Sequence, residues 1–223
     1  MVSFIIPTYN DTKYIAQIIS AIYNVDFDKE IIVVNDASEE KHSQVLKILK
    51  HIKLINHSKN KGKTQSLLDG IKGSKGDVIA FIDSDLKGLN SQNIQDLVNP
   101  ILTGEYEIAL SKKGSGLSKM GGYGFTQCFT GDRAFKAKII KDNLDMFNLA
   151  SGYQIESEMN RRFFKKHKIC VVEWDNVSNP AKMRHGLKSI TNDVKMYNDI
   201  REYLGIEESA KQIKFASELP RAN

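Results

Sequence analysis

The sequence predicts an α/β fold, a mostly parallel central sheet with helices on both faces, and three observations carry that prediction. Short β-branched runs such as Ile31-Ile32-Val33-Val34 and Val78-Ile79-Ala80-Phe81-Ile82 are unbroken by polar residues, as strands covered on both faces must be. They alternate with stretches whose apolar residues recur at helical spacing. Each apolar run is followed by small and polar residues, at Thr8 to Asp11, Asn35 to Ser38, Asn60 to Thr64 and Asp83 to Asp85. In a sheet of this kind ligands collect outside the carboxyl ends of the strands.

Taken in order, Val2 to Pro7 reads as the first strand. Tyr14, Ile15, Ile18, Ile19 and Ile22 mark one face of a helix, with Thr12 as its cap. Ile31 to Val34 is the second strand, and Val45, Leu46, Ile48 and Leu49 form the next helical stripe. A third strand centres on Leu54 and Ile55, a helix on Leu67, Leu68 and Ile71, and a fourth strand on Val78 to Ile82. This first half is a Rossmann-like unit.

Beyond it, a helix over Ser91 to Leu102 leads to a strand at Glu107 to Ser111. Lys112 to Gly131 is glycine-rich with little apolar period, which suits a loop over a site or a plain surface connection. A helix beginning near Arg133, a helix from roughly Tyr153 to His167, a strand at Ile169 to Trp174 and a polar helix from about Leu187 complete the expected elements.

Composition narrows the function. The 223 residues suffice for one substantial core, and no linker-like stretch divides them. The apolar runs are too short to span a bilayer, and the N-terminus lacks the basic start and cleavage site of a signal peptide. Cytoplasmic placement with at most peripheral membrane contact is the expectation. Cys128 and Cys170 are two widely spaced cysteines, which speaks for reduced thiols. A net charge of +5 suits an anionic partner. Nucleic acid is not expected, because no motif with interleaved aromatics accompanies the basic clusters at Lys47, Lys50 and Lys53 or at Arg161 to Lys168.

The chemistry concentrates at Asp83-Ser84-Asp85. Side chains alternate along an extended chain, so the two aspartates can share a side at the strand mouth, where they would attract a hard cation, Mg2+ or Mn2+. Such residues also serve as ordinary turn formers and caps. The turn after the first strand, Pro7-Thr8-Tyr9-Asn10-Asp11, has no glycine to admit a pyrophosphate, which argues against a dinucleotide-dependent oxidoreductase. Gly62-Lys63-Thr64 imitates the end of a phosphate-binding loop, but His57 stands where that loop requires glycine.

Four segments in order, Phe4 to Asp11, Ile31 to Ser38, Asn60 to Lys63 and Asp83 to Asp85, resemble the motif series of family 2 glycosyltransferases. Further along, Gly131-Asp132-Arg133-Ala134-Phe135, Gly152-Tyr153-Gln154-Ile155-Glu156 and Arg184-His185-Gly186-Leu187-Lys188 are similar to motifs of the branch that includes dolichol-phosphate mannose synthase and other polyprenyl-phosphate glycosyltransferases. Gly-Tyr-x-x-Glu is also similar to a segment of glucosyl-3-phosphoglycerate synthases.

The resemblance implies a single GT-A domain over 1–223, with a nucleotide-sugar half at 1–111 and an acceptor half at 112–223. It implies a donor pocket of Pro7, Thr8, Tyr9, Asp11, Asp36, Lys63, Asp83 and Ser84, with Asp36 accepting from the base. Asp85, and Asp83 beside it, would meet the Mg2+ or Mn2+. Lys87 stands where related mannose synthases carry a glutamine ligand, and an ammonium cannot ligate a cation.

Arg133, Arg184 and Lys188 are candidates to stabilise the leaving diphosphate. Glu156 and then Glu158 are the candidate bases, and about 200° of helix rotation between them lets at most one face the site. The implied partners are a nucleoside diphosphate sugar and an acceptor that is a phosphorylated small molecule, a polyprenyl phosphate or a glycan. A sugar-phosphate nucleotidyltransferase and a non-catalytic sugar-nucleotide-binding module are the competing readings.

Overall fold

The computed structural model describes residues 1–113, 128–150, 152, 154–179 and 198–222. Its first half runs β1 (Val2–Thr8), α1 (Ile15–Tyr23), β2 (Lys29–Asn35), α2 (Glu40–Ile48), β3 (Lys53–Asn56), α3 (Lys63–Lys72) and β4 (Val78–Phe81). Then follow α4 (Ser91–Leu102), β5 (Ile108–Lys113), β6 (Arg133–Lys136), α5 (Ala137–Lys141), a 3-10 turn (Leu144–Asn148), α6 (Gln154–Phe163), β7 (Ile169–Trp174) and α7 (Ile206–Ser217). All seven strands join one sheet in the order β3-β2-β1-β4-β6-β5-β7. Every pairing is parallel except those of β6, which runs antiparallel to both β4 and β5.

Alternation along the strands builds two cores. Phe4, Ile6, Ile31 and Val33 face the side covered by Ile18 and Ile22 of α1 and Leu97 and Val98 of α4. Ile5, Ile32 and Val34 face the other side, against Leu67, Leu68 and Ile71 of α3 and Ile155, Met159 and Phe163 of α6. Helix α3 lies close on β1, because a Cβ on Gly70 would run into Ile5. Trp174, fully buried at the end of β7, donates its indole N–H to the Asn93 carbonyl of α4.

Several local expectations are corrected. Thr12 does not cap α1: the helix starts at Ile15, and the Thr12 hydroxyl lies 2.9 Å from His42 Nδ1. In α2 only Leu46 of the expected stripe is buried, and Ile48 is 77% exposed. The segment beginning at Arg133 is a strand, since its backbone completes the ladders of β4 and β5, and helix begins only at Ala137. The strand expected at Glu107 to Ser111 runs on through Lys113. Most of the expected glycine-rich loop, 114–127, and the start of the helix expected from about Leu187 lie outside the described residues. Among those residues no helix is long and apolar enough to cross a membrane.

Candidate active site

The parallel strands β1, β2 and β4 deliver their carboxyl ends to one edge of the sheet, and the polar loops that follow are laced together there. At β1, the Thr8 hydroxyl donates to the Asp11 carbonyl at 2.8 Å and the Asn10 N–H to the Ser38 hydroxyl at 3.0 Å. Asn10 and Ala37 both take left-handed φ values, 52° and 60°, which fold these two loops against each other. Pro7 and Asp11 are half-buried, Thr8 is buried, and the Tyr9 ring is 52% exposed. Burial pushes the Asp11 carboxyl above its ordinary value.

At β2, Asp36 is buried and its carboxylate is held by protein groups. It accepts the backbone N–H groups of Lys61 and Gly62, each at 2.8 Å, and lies 2.7 Å from His57 Nδ1. His57 Nε2 lies 3.0 Å from Asp69, so the ring ties β2 to α3. The result is a fixed entry into α3 through Gly62, whose φ of 86° a side chain would resist. Lys63, the first residue of α3, is thereby aimed at the mouth of β4.

There Lys63 meets two carboxylates, Asp83 Oδ1 at 2.8 Å and Glu156 Oε1 at 3.0 Å. Burial works against the Lys63 charge, yet Asp83 and Glu156 outweigh it and hold the ammonium well above its usual pKa. The pair closes this tightly because residue 131 is glycine: a Cβ there would sit 2.5 Å from Lys63 Nζ and 2.9 Å from Asp83 Oδ1. Lys113, at the end of β5, approaches Asp83 Oδ2 at 3.8 Å and pairs with the buried Asp132. Asp132 Oδ1 in turn accepts the Asp83 N–H at 2.8 Å. Burial opposes the Lys113 charge too, and Asp132 and Asp83 override it. Ser84 is buried between the aspartates, and Asp85 Oδ1 accepts from Asn179 Nδ2 at 2.5 Å.

The two glutamates of α6 part company, as their helical separation requires. Glu156 turns to Lys63 and is 3% exposed, and its Oε2 has no hydrogen-bond partner among the described residues. Glu158 turns away to the opposite side. Its carboxylate accepts two bonds from Arg161 at 2.7 Å, one from Arg162 at 2.9 Å and one from the Tyr203 hydroxyl at 3.2 Å. Glu158 therefore works in the architecture, and the structure does not bring it to the cluster at β4.

Burial pushes the Glu158 carboxyl up, but the two arginines and Tyr203 outweigh that and hold it below its ordinary 4.5. A depressed folded pKa adds stability above the unfolded value, and that contribution is lost as pH falls through the folded value. Urea unfolding of Glu158→Gln should show a deficit against wild type of roughly 1–2 kcal/mol at pH 7, narrowing as the pH is taken below 4.5. A deficit independent of pH would refute this account.

Arg133 is corrected as a leaving-group partner. It is 1% exposed and its fork is spent on protein: Nε to the Thr130 carbonyl, Nη1 to Asn160 and Nη2 to the Cys128 carbonyl, at 2.7, 2.7 and 2.9 Å. Its place at the start of β6 points it into the core. Arg184 and Lys188 lie outside the described residues. Lys87 is exposed, and its backbone exchanges hydrogen bonds with Ser178 at 2.9 and 3.0 Å. Sequence reasoning missed Lys113, Asp132 and Asn179. Asp132 carried a signal, since it directly precedes Arg133 in a segment already singled out; the other two carried none.

The family model for Glycosyl transferase family 2 matches residues 3–168. The chain is 33% identical over 96 residues to dolichyl-phosphate beta-glucosyltransferase ALG5C of Trichomonas vaginalis, covering 37% of this chain and 28% of that protein. It is 35% identical over 91 residues to dolichol-phosphate mannosyltransferase of Pyrococcus furiosus, covering 39% and 26%. The matched stretches thus amount to about a quarter of those relatives' length.

Glucosyl-3-phosphoglycerate synthase of Mycobacterium tuberculosis, solved with Mn2+, UDP and phosphoglyceric acid, superposes over 100% of this chain and 80% of its own at a TM-score of 0.71. At 19% identity that likeness shows the fold, which is GT-A. With motifs in order at the strand ends and a match spanning most of its length, the chain belongs to glycosyl transferase family 2.

Proposed function

We propose that this chain transfers a hexose from a nucleoside diphosphate sugar to a phosphate-bearing or hydroxyl acceptor, with a divalent cation assisting. The observation that carries the reading is the cluster at the mouth of β4, where Asp83, Asp85 and Glu156 converge with Lys63 and Lys113 at the carboxyl end of a parallel sheet. The donor set suits Mg2+ or Mn2+, hard cations that take one or two carboxylates and complete their shell with substrate phosphates and water. Among the described residues no group of three or more His, Cys, Asp and Glu side chains makes a complete protein cage. Asp85 would hold the cation, while Asp83 is engaged by the two lysines. When bound, the cation would neutralise charge developing on the departing diphosphate.

The chain's own residues have distinct tasks in this reading. Lys63 and Lys113 bring positive charge to the diphosphate end of the pocket, at a site whose partial burial strengthens each interaction. Glu156 keeps Oε2 for a substrate hydroxyl while Oε1 stays on Lys63. If the acceptor presents a hydroxyl, that oxygen receives its proton as the new bond forms. Pro7, Thr8, Tyr9 and Asp11 line the nucleotide end, and the exposed Tyr9 ring offers a stacking face for a base. The names of two relatives, a dolichyl-phosphate glucosyltransferase and a dolichol-phosphate mannosyltransferase, and the phosphoglyceric acid bound in the glucosyl-3-phosphoglycerate synthase structure support a phosphate-bearing acceptor, such as a polyprenyl phosphate or a small phosphorylated acid.

The test is a thermal-shift screen of UDP- and GDP-sugars with Mn2+, followed by product analysis with candidate acceptors. At least one donor should stabilise the protein, and, where the acceptor that turns over presents a hydroxyl, Glu156→Gln should keep that shift while losing about 10²- to 10⁴-fold in turnover. No shift with any nucleotide sugar would refute the reading. Pyrophosphate release from a nucleoside triphosphate and a sugar phosphate would replace it with nucleotidyl transfer.

A further inference from the structure

His57, the residue that breaks the phosphate-loop imitation ending at Gly62-Lys63-Thr64, is buried and faces a carboxylate with each ring nitrogen. Nδ1 lies 2.7 Å from Asp36 Oδ1, and Nε2 lies 3.0 Å from Asp69 Oδ2. Both acids accept further bonds: Asp36 takes the Lys61 and Gly62 N–H groups, and Asp69 Oδ1 takes Gln65 Nε2 at 2.9 Å. A neutral imidazole has one N–H and one lone pair, so it would donate to one carboxylate and turn its lone pair on the other. Imidazole is a stronger base than a carboxylate, so the proton that each gap requires belongs to the ring.

The ring stands at a junction of three elements. The His57 N–H donates to the Asn35 carbonyl at 2.9 Å, which fastens the end of β3 to the end of β2. Asp36, directly after β2, fixes the amides of Lys61 and Gly62, and α3 starts from Gly62. Lys63 follows, and its ammonium reaches Asp83 and Glu156. The charged groups facing the ring are Asp36 from β2 and Asp69 from α3, with the Lys61 ammonium 3.7 Å from the same Asp69 Oδ2. With both protons in place the ring draws β2, the loop after β3 and α3 together. With one, two acceptors confront each other at a buried contact.

We propose that His57, with a proton on each ring nitrogen, is a positioning residue for the donor site: it braces Asp36 and the entry of α3, and through them sets Lys63 for the diphosphate. This rests on the glycosyltransferase reading. Loss of the second proton leaves one gap without a donor and loosens the brace, so donor affinity falls as pH rises through the titration of the ring. By linkage, a bound nucleotide moves that titration to higher pH by the same factor. Asp69→Asn supplies the converse, because its amide would donate to Nε2 while its oxygen still accepts from Gln65. A singly protonated ring is then satisfied, and the charge is no longer needed.

Calorimetric titration of UDP and GDP with Mg2+, from about pH 5.5 to about pH 9, tests this on wild type, Asp69→Asn and His57→Gln. NMR of the ring nitrogens in 15N-histidine-labelled protein reads the protons directly, and His57→Gln identifies the signal among the five histidines. Wild type should show both ring nitrogens of His57 protonated at the acid end, and its affinity for a nucleotide should fall at least about fivefold across the titration of the ring. Asp69→Asn should bind without that fall, and His57→Gln should bind more weakly than wild type at the acid end and also without it. The nucleotide's own titration is common to all three proteins, so the difference between them is the readout. A ring with a single proton at the acid end, a wild-type affinity that does not fall, or the same fall in Asp69→Asn would each overturn the proposal and leave the glycosyltransferase reading standing. If neither nucleotide binds wild type at any pH, the glycosyltransferase reading falls, and this proposal with it.

Discussion

Asp85→Ala should reduce donor turnover by at least about 10²- to 10³-fold, the equivalent of several kcal/mol of lost charge stabilisation at the leaving diphosphate. The residue is half-buried in a turn, so its loss leaves both cores intact, and the melting temperature should stay close to wild type. Asp83→Ala should behave differently. It removes the acid that Lys63 and Lys113 share and the geometry by which Lys63 reaches Glu156. Hence Asp83→Ala should lower donor affinity and stability together, whereas Asp85→Ala acts on turnover and on Mn2+ response. Steady-state kinetics with the donor found by the screen, alongside thermal melts, decides it. Turnover within threefold of wild type for Asp85→Ala would show that the diphosphate leaves without this carboxylate.

Arg133→Ala should cost about 3–5 kcal/mol of stability, the range expected when a large, fully buried side chain is truncated and its hydrogen-bond partners are left behind. The guanidinium is 1% exposed, and burial lowers its pKa while Glu156, Cys128, Asp132 and Asp83 act in the opposite direction. Its three donors satisfy the carbonyls of Cys128 and Thr130 and the Asn160 side chain. Asn160 also donates to the Cys128 carbonyl, at 2.7 Å, so the network links β6, the segment before it and α6. Truncation leaves these carbonyls without that donor and opens a cavity in the buried interior. Arg133→Lys should recover little, because an ammonium cannot span the same fork. Urea unfolding measures both, and a loss under about 1 kcal/mol for Arg133→Ala would mean that the site relaxes around the missing side chain.

Arg133 also shows why part of the second half was illegible. Four residues, Arg133–Lys136, carry too little periodicity to separate strand from helix, and they become a strand only because β4 and β5 flank them. An arginine in a glycine-rich neighbourhood looks like an exposed phosphate binder, and its burial depends on carbonyls that local pattern does not reveal. Thr12 failed as a cap for a related reason: His42, thirty residues away, offers its hydroxyl another partner. By contrast, the separation of Glu156 from Glu158 followed from helix geometry alone, and the structure sends them to opposite sides.

The α/β class, the first four strands and the polar loops at their carboxyl ends were legible in the chain alone, because strand and helix periodicities are local properties. The sequence also marked Asp83-Ser84-Asp85 as the place to look. What each aspartate faces comes from long-range contacts, with Lys63 from 20 residues before Asp83, Asp132 from 49 residues after it, and Asn179 from 94 residues after Asp85. The reason is that a carboxylate's task depends on the charges within a few ångströms of it. Here those charges arrive at the end of β5, just before β6 and at the start of α3, and the order in which the strands pair brings β5 and β6 beside β4.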